Sequence, residues 1–410
     1  MFQDKSSPCR ENTRETPLIR ALIGAIGLSV VTGHALAAEP IEIGIGYLRH
    51  AGVKETLSLV QQPAENNGVA GARLAIEDNN TTGKFLNQHF TLDEVRLKQG
   101  DDVAKAATTL AEHDGFIILD LPAEDVLKVA DALGERGTVL FDAGSTDDRL
   151  REEDCRANVV HVAPTRSMLA DGLAQYLVWK QWKRWLLVVG SHDPDKLYAD
   201  ALRRAATRFG AKIVQERTFE DTGGARRTDS GVTLIQRQMP VFTQQAPAYD
   251  VLVAADESEV FASYLPYRTW DPRPVAGSAG LVPTSWDASH DQWGAIQIQN
   301  RFIKLNSRHM TALDMQGWTA ARMVGEATSR TSSGDAKTVF DFIKGKEFSI
   351  AAFKGTRLTL RDWNLQLRQP ILLADGRMVV SVSPQEGFLH QVSELDTLGV
   401  DRPETKCKLK

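Results

Sequence analysis

Two α/β lobes, each a doubly wound parallel sheet, joined by a hinge: this is the fold class that the sequence predicts. Three observations carry it. Strand and helix patterns alternate from residue 41 onward. The alternation pauses between Gly144 and Ala163 and then restarts. A chain of 410 residues also exceeds the roughly 100–200 residues that one core usually serves. Strand–helix units in series imply parallel sheets with helices on both faces.

Residues 41–47 alternate apolar with small or polar side chains, as a strand does. Over 67–80, Val69, Ala72, Ala75 and Ile76 recur at helical spacing, and Asn79, Asn80 and Gly83 supply the stop. Residues 90–97 predict a second strand and 101–112 a helix with an acidic first turn. The run 115–119 is continuously apolar beyond its glycine, the mark of a strand buried on both faces. A helix over 123–136 follows Pro122, and then a strand over 138–141. After the pause come a helix (167–182), a strand (184–189), a helix (194–209) and a strand (212–219). Residues 221–248 are rich in Gly, Thr and Gln and irregular. A strand (250–255), a helix (258–264), a strand (275–278) and helices over 291–308, 311–328 and 336–344 precede a tail of hairpin-like strands. The organisation expected is a first lobe over 38–163 and a second begun over 164–282. Long helices over 283–335 would be shared at the hinge, and 336–410 would return to the hinge and the first lobe. Crossings are expected near residues 163, 280–285 and 350.

The N-terminus predicts a compartment. Arg10, Arg14 and Arg20 precede an uncharged apolar run, 21–32, and then Ala35, Ala37 and Ala38, the order of a secretory signal peptide. The run is shorter than the roughly 20 residues a bilayer requires, and no later stretch is long and apolar enough to cross one. Cleavage is expected after Ala37, making 1–37 a signal peptide and the remainder periplasmic; no Cys follows the run, which argues against a lipid anchor. The net charge of −5 for the whole chain argues against nucleic acid or an anionic membrane as partner. Discarding Cys9 leaves Cys155 and Cys407. In an oxidising compartment two thiols are expected to pair, with two unpaired buried thiols as the alternative.

No catalytic signature is present. Gly44-Ile45-Gly46 lacks the third glycine of a dinucleotide fingerprint, since Arg49 stands there, and the next helix begins far downstream. There is no G-x-S-x-G elbow, no H-E-x-x-H, no phosphate loop, and the nine histidines are scattered. Carboxylate pairs such as Glu152-Glu153 suggest solvated surface. No enzyme activity, cofactor or metal is therefore expected.

The stretch 67–80 (NGVAGARLAIEDNN) resembles the first-helix motif of the type I periplasmic binding proteins, the branched-chain amino-acid-type receptors of ABC importers. Asp142-Ala143-Gly144-Ser145-Thr146 is similar to their ligand-contacting turn after the fourth strand. Segments 249–257, 272–278, 292–295, 361–370 and 395–399 resemble a narrower subgroup, the receptors associated with PQQ-dependent alcohol dehydrogenase systems. The resemblance implies a periplasmic receptor, monomeric, that delivers cargo to an ABC permease in the inner membrane. In the subgroup that cargo is pyrroloquinoline quinone (PQQ) or a related molecule.

In doubly wound sheets, ligands sit beyond the carboxyl ends of the strands, and the resemblance implies that both sheets turn those ends toward one cleft. The candidate contacts in the first lobe are Tyr47, Arg49, His50, Asp120, Gly144, Ser145 and Thr146. Thr165 and Arg166 stand at the first crossing, and His192, Arg226, Arg227, Asp256, Ser278 and Trp286 in the second lobe. The family's amino-acid receptors hold an α-carboxylate with a serine after the third strand and a small-residue/Thr pair after the fourth. Gly144 and Thr146 match the second feature. Asp120-Leu121-Pro122-Ala123 departs from the first, offering no hydroxyl and a carboxylate that repels an acid. Arg49, Arg166, Arg226 and Arg227 suit carboxylates through bidentate hydrogen bonds, and Tyr47 and Trp286 suit a flat ring, at about 0.5–1.5 kcal/mol beyond burial. This set matches the planar, polyanionic PQQ better than leucine. For each residue a structural role is the alternative, since loop arginines are mostly solvated and strand-end aromatics mostly packing. An amino-acid cargo, or a sensor that signals to a membrane kinase, remains open.

Overall fold

The computed structural model describes residues 39–52, 62–221 and 234–409. The expected signal peptide, 1–37, lies outside the described residues, as do Arg226 and Arg227. The chain begins with β1 (Ile41–His50), α1 (Val69–Leu86), β2 (Gln88–Leu97), α2 (Val103–Leu110), β3 (Phe116–Asp120), α3 (Ala123–Leu133), β4 (Val139–Asp142) and β5 (Val159–His161). The five strands form one parallel sheet in the order β2-β1-β3-β4-β5. Its two faces carry separate cores: Ile43, Ile45, Phe116, Ile118 and Phe141 pack on one side, Leu48, Leu119 and Leu140 with α2 and α3 on the other. β5 falls inside the stretch where alternation paused, because three residues are too few to show a period.

The glycines that invited other readings are packing devices. A Cβ on Gly46 would lie 2.4 Å from Leu110 Cδ2, so the Gly44-Ile45-Gly46 run lets α2 sit close on β1. A Cβ on Gly71 would lie 1.7 Å from the Asp314 carbonyl oxygen, so part of the 67–80 motif exists to let two helices touch.

The second lobe runs α4 (Arg166–Trp179), β6 (Arg184–Gly190), α5 (Asp193–Phe209), β7 (Lys212–Phe219), α6 (Ile235–Thr243), β8 (Val251–Ala255) and β9 (Val275–Gly277). Its four strands are parallel in the order β7-β6-β8-β9. The α-helix expected over 258–264 is instead a 3₁₀ helix, Ala262–Tyr267. The Asp256 carboxylate accepts the N–H groups of Val260, Phe261 and Ala262 at 2.8, 2.7 and 2.6 Å, which curls the chain before a regular turn can start, and Pro266 interrupts it.

The remainder is β10 (Val282–Thr284), α7 (Ala295–Asn306), α8 (Ala312–Thr331), α9 (Ala336–Lys344), β11 (Ile350–Ala351), β12 (Arg357–Leu360), β13 (Leu367–Arg368), β14 (Ile371–Ala374) and β15 (Val379–Ser383). The strands make two small sheets, ordered β10-β14-β15 and β11-β12-β13. Thr311 and Asp314 form a capping box at the start of α8, and Asp314 also accepts the N–H of Gly68 at 2.8 Å. The sequence suggests that the long helices are shared between lobes; their buried hydrophobic residues, including Ile298, Phe302, Met315 and Val324, pack in the first lobe's core. Crossings fall between β5 and α4, between β10 and α7, and between β13 and β14. The last was expected near residue 350. It comes later because the His161 N–H donates to the Leu365 carbonyl at 2.9 Å, which keeps the hairpin alongside β5. Leu367 therefore belongs to the first core and Ile371 to the second.

The tail is a further link. Gln175 donates to Thr397 at 2.9 Å and the Gly399 N–H to Asp171 at 2.8 Å, both on α4. The chain then returns to the first lobe, where Cys407 is disulfide-bonded to Cys155 across 252 residues of sequence. Glu152, read as solvated surface, is 7% exposed and receives the Lys406 N–H at 2.7 Å. The docked tail covers it.

Candidate functional site

Among the described residues, several strand ends present their charged groups already paired. At the end of β1, Arg49 is 6% exposed; its Nε donates to Glu94 at 2.9 Å and its Nη2 to the Glu65 carbonyl at 2.7 Å. Arg73 and Arg96 also hold Glu94, each at 2.6 Å. Burial alone would raise the Glu94 carboxyl, yet hydrogen bonds from Arg96 and Arg49 hold it below the ordinary range. His50 meets Asp125 at 2.9 Å and His192 meets Asp221 at 2.9 Å. Burial pushes the Asp120 carboxyl up to about 6, against the pull of Arg49.

The turn after β4 is the best-built part. The Ser145 N–H donates to Asp142 at 2.9 Å, and the Ser145 carbonyl accepts from Arg151 at 2.9 Å. Gly144 lies so close to β3 that a Cβ there would be 2.8 Å from Asp120 Oδ1. The Thr146 carbonyl accepts the Arg166 N–H at 2.9 Å, tying this turn to the start of α4. Thr165 is the N-cap of α4, its hydroxyl accepting the Met168 N–H at 3.0 Å. Arg166 grips Glu257 in bidentate fashion, Nε and Nη2 reaching Oε2 at 3.0 and 2.7 Å and Nε also reaching Oε1 at 3.0 Å.

Between these elements lies a crevice of about 570 Å³, lined from the first lobe by Glu124, Asp147, Asp148, Arg149 and Glu153 and from the second by Arg166, Ser167, Leu197, Asp200, Ala201 and Arg204. Burial raises the Asp148 carboxyl, with hydrogen bonds from Thr165 and Ser167 opposing. The described crevice therefore carries more carboxylates than guanidinium groups, which the arginine inventory did not anticipate.

Residues 51–229 match the family model described as periplasmic binding protein. No curated protein matches the chain. A branched chain amino acid ABC transporter periplasmic ligand-binding protein from Burkholderia xenovorans LB400 superposes with a TM-score of 0.68 at 17% identity, over 90% of this chain and 99% of that one. The chain has the type I periplasmic binding protein fold. A leucine-, isoleucine-, valine-, threonine- and alanine-binding protein from Brucella ovis, in a closed conformation, gives 0.66 at 14% identity over 91% of this chain and 100% of that one. A solute binding protein from R. palustris in complex with benzoate gives 0.63 at 13% identity, over 90% and 100% respectively.

Within this periplasmic-binding-protein fold, the expected contacts separate into groups. Asp120, Gly144, Ser145, Thr146, Thr165 and Arg166 come together around the β4 turn. Asp256 and Ser278 are tied to each other instead: Ser278 Oγ lies 2.8 Å from the Asp256 nitrogen, and Asp256 spends its carboxylate on the 3₁₀ helix. The two rings expected to stack on a ligand, Tyr47 and Trp286, are 0% and 2% exposed in the first core. For Tyr47 the reason is parity, since it shares a face of β1 with Ile43 and Ile45. Trp286 stands edge-on to His290 at 5.2 Å. The sequence reasoning overlooked Asp147, Asp148, Arg149 and Glu257. Asp147 and Glu257 directly follow strand-end residues that were selected, and Asp148 and Arg149 come next in the chain, which was the available signal. Among the described residues no cluster of His, Cys, Asp and Glu is placed to hold a metal, and no helix is long and apolar enough to cross a membrane.

Proposed function

We propose that the chain is the periplasmic receptor of an ABC import system, whose lobes close over a small anionic aromatic solute and hand it to a permease in the inner membrane. PQQ is the cargo to test first. The observation that carries the reading is the bidentate grip of Arg166 on Glu257 beside the β4 turn. Glu257 holds the position that a ligand carboxylate would take, in the geometry that planar guanidinium recognition favours. Capture then exchanges one carboxylate for another. The exchange itself is nearly neutral, so affinity comes from burying the ligand's rings and from its differential contact with the closed lobes. The benzoate complex of the R. palustris protein supports an aromatic acid as a cargo for this fold. The retained Gly144-Ser145-Thr146 turn and the amino-acid-binding relatives favour a second reading, an amino acid.

Thermal-shift and calorimetric titration of the mature protein with PQQ, benzoate and leucine test this. Saturation by PQQ at a hundred times its Kd stabilises by about 2.7 kcal/mol, a shift of several degrees. Absence of heat and of stabilisation with PQQ and benzoate rejects the anionic aromatic, and a response to leucine alone selects the second reading.

A further inference from the structure

We infer that the chain carries a second small-molecule site, for an amphiphilic anion, in the cavity built around Trp363. This cavity measures about 900 Å³ and shares no lining residue with the crevice of about 570 Å³. Its walls are the connection from α9 to β11, the turn between β12 and β13, and the tail over 389–403.

Three features define what it would take. Trp363 is surrounded by guanidinium groups: those of Arg361, Arg368 and Arg402 lie 5.4, 5.2 and 5.5 Å from its ring centroid. Arg361 and Arg368 share one buried carboxylate, Asp396, at 2.9 and 2.8 Å, and Arg402 is paired with Asp362; over the whole lining, Lys344, Lys346, Arg368 and Arg402 face Asp362, Asp396 and Asp401, one positive charge in excess. Lys346, also in the lining, is exposed and has no hydrogen-bond or ion-pair partner among the described residues. His390 is held on both sides, its Nε2 3.0 Å from Asp401 and its Nδ1 accepting the Val392 N–H at 3.1 Å.

The second feature is an unmet donor. The indole Nε1 of Trp363 is buried and has no acceptor. A buried donor left in this state costs about 1–3 kcal/mol, which an incoming oxygen would recover. The third is apolar surface without cover: Leu389 and Val392 line the cavity yet are each 79% exposed. A cationic floor, one orphan N–H and an apolar rim select a ligand with one acid group on a flat hydrocarbon body. The inference is independent of the cargo proposed for the crevice.

The probe is 1-naphthoate, titrated into the mature protein by calorimetry. One site is expected, and the uncharged 1-naphthamide should bind at least about tenfold more weakly, equivalent to 1.4 kcal/mol. Replacing the exposed Lys346→Glu and Arg402→Glu together should weaken naphthoate by tenfold or more, with Lys346→Glu alone weakening it severalfold at unchanged Tm. Trp363→Phe, which keeps a ring and removes the N–H, should weaken it severalfold. Arg166→Ala should leave it unaltered. The inference is overturned if naphthoate does not bind at millimolar concentration, if the double charge reversal leaves its affinity intact, or if Arg166→Ala abolishes it.

Discussion

At the crossings between the lobes, Asp142, Arg151, His161, Gln366 and Gln369 are at most 2% exposed. At the strand-end rim, the side chains of His50 and His192 are 46% and 44% exposed and that of Glu257 is 25% exposed. The crossing groups are each held several times. Arg151 reaches Asp142 at 3.1 Å, Gln366 at 3.0 Å, and the carbonyls of Ser145 and Ala163 at 2.9 and 3.0 Å. Gln369 donates to the Val162 carbonyl at 2.7 Å and accepts from buried Lys354 at 2.6 Å. Rim pairs such as His50–Asp125 and Arg166–Glu257 lie at the solvent edge instead. Buried networks are costly to break because every partner left behind is desolvated, whereas exposed pairs are screened and trade partners cheaply. The proposed receptor function uses both: crossings that keep the two sheets in register, and a rim that can give up an internal partner for a ligand.

The contrast can be broken most severely at its buried end. Arg151→Met strands Asp142 and several carbonyls, and is expected to cost about 3–5 kcal/mol, the largest loss of Tm among these variants. Cys407→Ser releases the tail from the first lobe and should cost about 2–4 kcal/mol in denaturant unfolding. A reductant should reproduce that loss in the parent protein and have no effect on the variant.

Acidity separates the two regions by sign. Burial, reinforced by Arg151, pushes the His161 imidazole down to about 4, whereas an unfolded imidazole protonates near 6.5. The folded state therefore binds fewer protons in that window, and His161 costs stability as pH falls through it. Relative to His161→Gln, the parent should lose about 2 kcal/mol between pH 7 and 4.5, read from paired melting curves. Asp120 at the rim, raised to about 6, does the reverse. Its folded carboxyl takes up a proton first, so stability rises on acidification, and anion affinity should rise severalfold between pH 7 and 5. Asp120→Asn should flatten that dependence.

The smallest effect on stability belongs to the rim pair. Glu257→Gln should change unfolding by no more than about 0.5 kcal/mol, yet raise affinity for a bound carboxylate about fivefold by removing its internal competitor. Unchanged affinity would mean that Arg166 is a structural residue.

Much of the fold was legible because it is local. The alternation over 41–47, the apolar run before Asp120 and the spacing of Val69, Ala72, Ala75 and Ile76 each report an environment within a few residues of chain. β5 and the 3₁₀ helix were missed where elements are shorter than one period or where a single carboxylate, Asp256, redirects the backbone. The candidate site was legible only as positions. Strand-end placement singled out Asp120, Gly144, Ser145, Thr146 and Arg166, which do converge, but could not tell that Tyr47 and Trp286 turn inward.

The sequence by itself determined two things: that strands and helices alternate into parallel sheets, and which residues stand at the strand ends. Hydrophobic periodicity encodes both locally. Only the tertiary structure decided which charge meets which: Arg49 with Glu94, 45 residues apart, and Arg166 with Glu257, 91 residues apart. Partner choice depends on strand order and on where the chain crosses between lobes, and no periodicity along the sequence records either.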